Sequence, residues 1–256
     1  MFDLGIGITL LLFGAGVLAG ALNAVAGGAT FFTFPALILA GLSPLVANAT
    51  NFVALVPSNI AALPAFRTEL KSLGRKLIAP LIVGATGGLI GALALINLGG
   101  DLFASAVPYL MGFATLLFAT APHIRKIVEQ RREGPTRQVS ILPMLLLFVF
   151  SLYGGYFGAG LGQIILAALI LNGHDDFHIS NALKNAVIAA ISLLSVAVYG
   201  FSGAVSVPHA VVMMLGATVG GYLGGTFSKR VPQQALRNGV IIFGTLLTIY
   251  YFISNQ

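Results

Sequence analysis

No charged residue occurs between Asp3 and Arg67. A helix needs about 20 apolar residues to cross a bilayer, so residues 4–66 are long enough for more than one crossing. Something other than charge must punctuate them. That punctuation is glycine: "NAVAGGATFFTFPAL" (23–37) places Ala26-Gly27-Gly28-Ala29 inside the run. In water each glycine weakens a helix by about 1 kcal/mol relative to alanine. In lipid an unwound backbone has no water to satisfy its N–H and C=O groups, so such a break persists only where protein or a cavity surrounds it.

The rest of the chain has the same character. It is 57% hydrophobic and 8% charged, whereas soluble domains are about a quarter charged. The apolar runs do not alternate as barrel strands do. The expected class is an all-α integral membrane protein forming a single transmembrane domain over residues 1–256. Cysteine is absent, which excludes disulfides and thiolate chemistry. The net charge of +6 comes from basic loops and is read as a topology signal rather than as nucleic-acid binding. Ala24-Val25-Ala26 resembles a signal-peptidase site. The stretch before it lacks a basic region and carries Asp3, so the first segment is expected to be retained.

Apolar runs and breakers predict segments at 4–24, 30–41, 44–66, 77–97, 102–120, 141–157, 163–171, 179–200, 208–227 and 238–253. Lysine and arginine cluster at 67–76, 125–137 and 229–237, and these loops are assigned to the cytoplasm. With that orientation 4–41 and 141–171 each leave and return to the same side. Each is therefore a re-entrant hairpin broken at its glycines. Segment 163–171 spans only roughly 14 Å at helical rise, too short to cross.

An offset of about 134 residues sets Gly28 on Gly162 and Asn51 on Asn185, and brings "GATGGLIGA" (84–92) near "GATVGGYLGG" (216–225). The expected plan is two inverted repeats, 4–120 and 141–253, joined by a cytoplasmic basic linker at 121–140. Each repeat is a broken re-entrant helical hairpin plus three transmembrane helices. Odd crossings per half require inversion, and inverted repeats with discontinuous helices are a recurring plan of secondary transporters.

These motifs resemble the TauE/SafE sulfite-exporter family of membrane transporters. The first half carries "AVAGGATFFTFPAL" and "ANATNFVAL", the second "GYFGAGLGQIILAAL" and "SNALKNAVIAA". The resemblance covers nearly the whole chain. It implies movement of sulfite or a small organosulfur, sulfonate-type anion across a bacterial plasma membrane.

From the residues themselves, the short segments begin at the hairpin tips. Their unpaired N–H groups carry about half a positive charge. The candidate substrate-binding residues are Gly27, Gly28, Ala29 and Thr30 at one tip, and Gly160, Gly162 and Gln163 at the other. Asn51, Lys184 and Asn185 complete the set. The glycines could instead serve close helix packing. Lys184 is the only cation inside an apolar span. It is read as an anion partner, against the alternative that it snorkels to headgroups. Asn48, Thr50 and Asn181 are lesser candidates, and Asn23 is expected to satisfy backbone freed at the first break. All seven acidic residues lie in loops or at termini, which disfavours a buried carboxylate relay. "HDDFH" (174–178) is read as a solvated cap rather than a metal site, and Asp176 as a cap for the next helix. No enzyme chemistry, metal or cofactor is expected. The expected partners are a small sulfur-containing anion and the lipid bilayer. The coupling ion, H+ or Na+, and a homodimer are left open. An anion channel and a non-transporting membrane scaffold are the alternative functions.

Overall fold

The computed structural model of the protein describes residues 4–25, 28–61, 63–130, 141–171, 177–227 and 233–254. Helices and short connections account for all of them. In order these are α1 (Ile6–Val25), α2 (Thr30–Leu39), α3 (Pro44–Ala61), α4 (Arg67–Leu73), α5 (Ile78–Leu98), α6 (Gly100–Gln130), α7 (Leu142–Tyr156), α8 (Leu161–Leu171), α9 (Phe177–Phe201), α10 (Val207–Phe227) and α11 (Gln233–Ser254). Single turns of 3-10 helix, Leu63–Phe66 and Gly74–Leu77, flank α4. Stretches such as Ile6–Asn23, Gly100–Thr120 and His178–Phe201 are long and apolar enough to cross a membrane. Large apolar side chains, among them Ile6, Leu116, Leu215 and Ile242, are exposed on the outside of the bundle. In water that surface would be costly; in a bilayer it faces its solvent.

Two elements differ from the sequence reading. The basic stretch 67–76 is not a plain loop but holds α4. The linker expected at 121–140 is helical through Gln130, because α6 continues ten residues beyond Thr120. Residues 131–140 lie outside the described residues.

The short helices are about half a bilayer long. α2 has 10 residues and α8 has 11, or about 15 Å at 1.5 Å per residue. Each follows a glycine in the left-handed region, Gly28 at φ 88° before α2 and Gly160 at φ 71° before α8. A Cβ would strain the backbone there. The starts of α2 and α8, Thr30 and Leu161, are 131 residues apart, while those of α3 and α9, Pro44 and Phe177, are 133 apart. No single offset superposes the halves; by backbone conformation and by the amide it accepts from three residues on, Gly28 matches Gly158 rather than Gly162.

Glycine does a second job in the long helices. A Cβ on Gly20 would lie 2.1 Å from the Ala217 carbonyl oxygen, and one on Gly220 would lie 1.9 Å from that of Val17. These contacts press the backbones of α1 and α10 together. On the far side Gly91 approaches the Leu152 carbonyl and Gly155 that of Gly88, at 2.0 and 1.9 Å by the same measure. They join α5 to α7. Small residues in membrane helices allow this close approach. It accounts for the matched "GATGGLIGA" and "GATVGGYLGG".

The consequence is an interlocked bundle. The first helix of the first half, α1, packs on α10 of the second half. The first helix of the second half, α7, packs on α5 of the first. Several other contacts also correspond when the halves are exchanged: α3 on α10 with α9 on α5, α1 on α2 with α7 on α8, and α2 on α3 with α8 on α9, whereas α6 packs on α8 far more fully than α11 does on α2. α3 meets α9, and α6 meets α11. A buried aromatic cluster fills the side of the bundle beyond the tips. Phe34 packs edge-on to Phe157 and Phe103, with ring centroids 5.4 and 6.4 Å away, and Phe52 packs on Tyr199 at 5.3 Å.

Candidate binding cavity

The two breaks open onto one cavity of about 680 Å³. Gly28, Ala29 and Thr30 reach its wall from the start of α2. Gly160, Gly162 and Gln163 reach it from the start of α8. Asn51 enters from α3, and Lys184 and Asn185 from α9. Every expected site residue that is described therefore lines the same space. Gly27, like Ala26 before it, lies outside the described residues, as do Asp175 and Asp176 of the "HDDFH" stretch.

The local geometry explains what the tips offer. At the α2 start, the Phe31 amide donates to the Gly28 carbonyl and the Phe32 amide to that of Ala29, at 3.1 and 3.0 Å. The amides of Ala29 and Thr30 have no partner among the described residues. At the α8 start, the Leu161 amide donates to Gly158 and the Gln163 amide to Gly160, at 3.3 and 3.2 Å. The amides of Gly160 and Gly162 have no partner among the described residues. Leu161 rather than Gln163 is the first helical residue here, because the last of the left-handed glycines is Gly160. Gln163 sits in the first turn and has its own bonding partner.

The side chains divide into anchored and free groups. Asn51 is 2% exposed, and its Nδ2 donates to Thr30 Oγ1 at 3.4 Å. That bond fills an acceptor site of the hydroxyl and leaves its proton available to the cavity. Lys184 is the only charged residue on the wall among those described, and no carboxylate lines it. Its Nζ donates to Asn181 Oδ1 at 2.6 Å. Lys184 lies two turns from the start of α9 at Phe177 and is among the residues lining the cavity. Asn185 also lines the wall. Asn48 turns away from the cavity, donating to the Tyr156 carbonyl at 3.0 Å across the bundle. The Thr50 hydroxyl accepts from the Ser206 amide at 3.0 Å.

Sequence reading missed the cavity's mouth. Asn59 Nδ2 donates to Ser192 Oγ at 3.1 Å, joining α3 to α9, and Ser58 and Thr218 lie nearby on the wall. The signal was available as the polar pair Ser58-Asn59 behind Pro57, inside an otherwise apolar span. The mouth reaches Ala61 and Phe66, beside Arg67. At the other end, the connections 40–43 and 202–206 contribute nothing to the wall.

A cavity walled by unpaired amides, hydroxyls, carboxamides and one ammonium, and reached through broken helices, suits a transported anion. Comparison with known proteins agrees with the class. The family model for the sulfite exporter TauE/SafE matches residues 12–251. The chain belongs to the TauE/SafE sulfite exporter family. The probable membrane transporter protein of Haemophilus influenzae is 28% identical over 250 residues, covering 96% of this chain and 95% of that one. A probable membrane transporter protein of a Sinorhizobium species is 25% identical over 250 residues, covering 97% and 94%. The probable membrane transporter protein YfcA of Escherichia coli K12 is 27% identical over 244 residues, covering 93% and 87%. No solved structure matches the chain. As a TauE/SafE protein it is a multi-pass membrane transporter of a bacterial membrane, and the family is one of transporters rather than enzymes.

Proposed function

We propose that this TauE/SafE protein is a secondary transporter that moves sulfite or a small sulfonate-type anion across the plasma membrane by alternating access. The observation that carries the reading is the cavity wall: two helix starts with unpaired amides, plus Lys184, with no carboxylate among the described lining residues. Helix N-termini stabilise anions through free N–H groups and the helix dipole. Thr30, Gln163, Asn51 and Asn185 then supply donors around the sulfur-bound oxygens. Gly28, Ala29, Gly160 and Gly162 let the backbone approach them.

The halves 4–120 and 141–253 act as inverted repeats, each a re-entrant broken hairpin with three transmembrane helices. The half-exchange in the helix contacts and the placement of basic residues support this. With 67–76 in the cytoplasm, a mouth at Ala61 and Phe66 makes the conformation inward-facing. The aromatic cluster of Phe34, Phe52, Phe103, Phe157 and Tyr199 then closes the outer side.

The interlock decides what moves. Glycine contacts fasten α1 to α10 and α5 to α7, so the two sequence halves cannot rock as separate blocks. The moving bodies are α1, α2, α3 and α10 against α5, α7, α8 and α9. Their seam runs along α3 and α9, and the cavity lies on it.

Purified protein in proteoliposomes tests the reading. Saturable uptake of sulfite or a sulfonate, with counterflow, is expected. A current that never saturates would make the protein a channel, and no flux of any sulfur oxyanion would overturn the proposal.

A further inference from the structure

We propose that the groove beside α4 binds an anionic phospholipid, its phosphate on Arg67 and Lys71 and an acyl chain along the apolar floor. The inference is independent of the transport reading. Residues 62–77 connect α3 to α5, whereas residues 202–206 suffice to connect the corresponding pair, α9 and α10. The fold alone therefore does not require the longer connection. It builds α4, whose Leu70 and Leu73, with Leu77 just beyond, join the apolar cluster around Leu183 and Val187 of α9. This packing raises one wall of a groove floored by Ile60, Leu63, Pro64, Leu70 and Leu77.

Arg67 and Lys71 form the rim of that groove. They are four residues apart, hence one turn, and point to the same side of a helix. Both are exposed, and neither has a hydrogen-bond or ion-pair partner among the described residues. No carboxylate lines the groove among the described residues. An apolar trough ending in two uncommitted cations at the edge of a membrane span complements a lipid with a fatty chain and net negative headgroup. Basic side chains at this level each contribute to anionic-lipid attraction. The groove also shares a wall with the central cavity. Ile60, Leu63 and Pro64 face the groove, while Ala61 and Phe66 of the same stretch line the cavity mouth. A bound lipid thus braces the mouth of the transport path from outside.

Native mass spectrometry of the detergent-purified full chain, titrated with phosphatidylglycerol or phosphatidylcholine, tests the site. Wild type should prefer phosphatidylglycerol. Arg67→Gln/Lys71→Gln should weaken that binding by about tenfold. Arg75→Gln/Lys76→Gln removes equal charge from the exposed turn outside the groove and should leave it intact. Equal loss in both variants would reduce the effect to general surface charge and overturn the site. So would the absence of a headgroup preference in wild type. Inorganic phosphate alone should not displace the lipid; effective displacement would show that the apolar floor contributes nothing, and would overturn it too.

Discussion

Replacing Gly220 with alanine should loosen the contact that ties the two halves together. The new Cβ would lie 1.9 Å from the Val17 carbonyl oxygen, where ordinary contact begins at 3.4 Å. The atoms met are backbone, so no side chain can swing aside. α1 and α10 must part by the 1.5 Å shortfall between those distances. A gap of 0.5–1 Å already forfeits about a quarter to a half of each dispersion well, which is about 0.1–0.2 kcal/mol per atom pair. Over an interface on the order of thirty pairs, the loss comes to roughly 1–3 kcal/mol. Lipid supplies no compensating hydrophobic term between helices, because the tails are as apolar as leucine.

The matched control is Gly14→Ala on α1, where nothing lies within 4 Å of the added Cβ. That variant should be neutral or slightly stabilised. The symmetric arm is Gly155→Ala, whose Cβ would lie 1.9 Å from the Gly88 carbonyl oxygen, and which should cost as much as Gly220→Ala. Unfolding in mixed micelles, followed by circular dichroism and by tyrosine emission in a chain without tryptophan, measures all three. If Gly220→Ala stays within about 0.5 kcal/mol of Gly14→Ala, the close-packing argument fails.

Lys184→Gln removes the only charge on the described cavity wall. An ion pair at 4 Å is worth about 4 kcal/mol at an effective dielectric of 20; discounted for partial exposure, the affinity for a sulfur oxyanion should fall on the order of a hundredfold, read by isothermal titration or half-saturation of uptake. Asn51→Asp places a carboxylate beside Thr30 and should abolish anion uptake while the protein still purifies as a folded species; retained uptake would remove Asn51 from the path. Thr30→Val should weaken substrate by roughly ten- to a hundredfold, the loss of one hydrogen bond to a charged group. Thr33→Val should leave affinity unchanged, because the Thr33 hydroxyl is already donated to the Ala29 carbonyl at 3.1 Å. Since the native chain has no cysteine, Asn59→Cys/Ser192→Cys can be joined by a short thiol-reactive linker. Transport should stop when the linker is added and return when it is cleaved; transport undiminished by the linker would move the seam elsewhere.

The breaks and the cavity residues were legible because lipid makes them so. An unwound turn, a lysine or an asparagine is expensive in an apolar span, so each one stands out. Helix ends were less legible. Hydropathy marks where lipid stops, and α6 continues past that level through "HIRKIVEQ" to Gln130. α4 was hidden for a related reason: four basic residues in 67–76 outweighed the helical spacing of Leu70, Leu73 and Leu77. The tip of the second hairpin offered three glycines, and only backbone geometry separates Gly158 and Gly160, both left-handed, from Gly162, which is helical. Asn59 and Ser192 were invisible as a pair because 133 residues separate them.

Glycine carries both roles in this chain, and the sequence does not distinguish them. At Gly28 and Gly160 it supplies a backbone conformation; at Gly20, Gly91, Gly155 and Gly220 it removes a side chain so that another backbone can approach. The first role makes the cavity, and under the proposed transport cycle the second decides how that cavity would open. Had the glycine-rich helices packed within their own halves, each half would be a closed unit and the interface between halves would be the natural plane of motion. They pack across instead, α1 with α10 and α5 with α7. Backbone contacts of this kind have no side chains to rearrange, so they resist sliding more than a seam of side chains does. The softer surface is the one between α3 and α9, held by the Asn59–Ser192 hydrogen bond, with the Asn48 bond to the Tyr156 carbonyl between the same two bodies. The cavity mouth lies along that surface, so under the proposed cycle separation there would change access to Lys184 while both helix pairs stay intact.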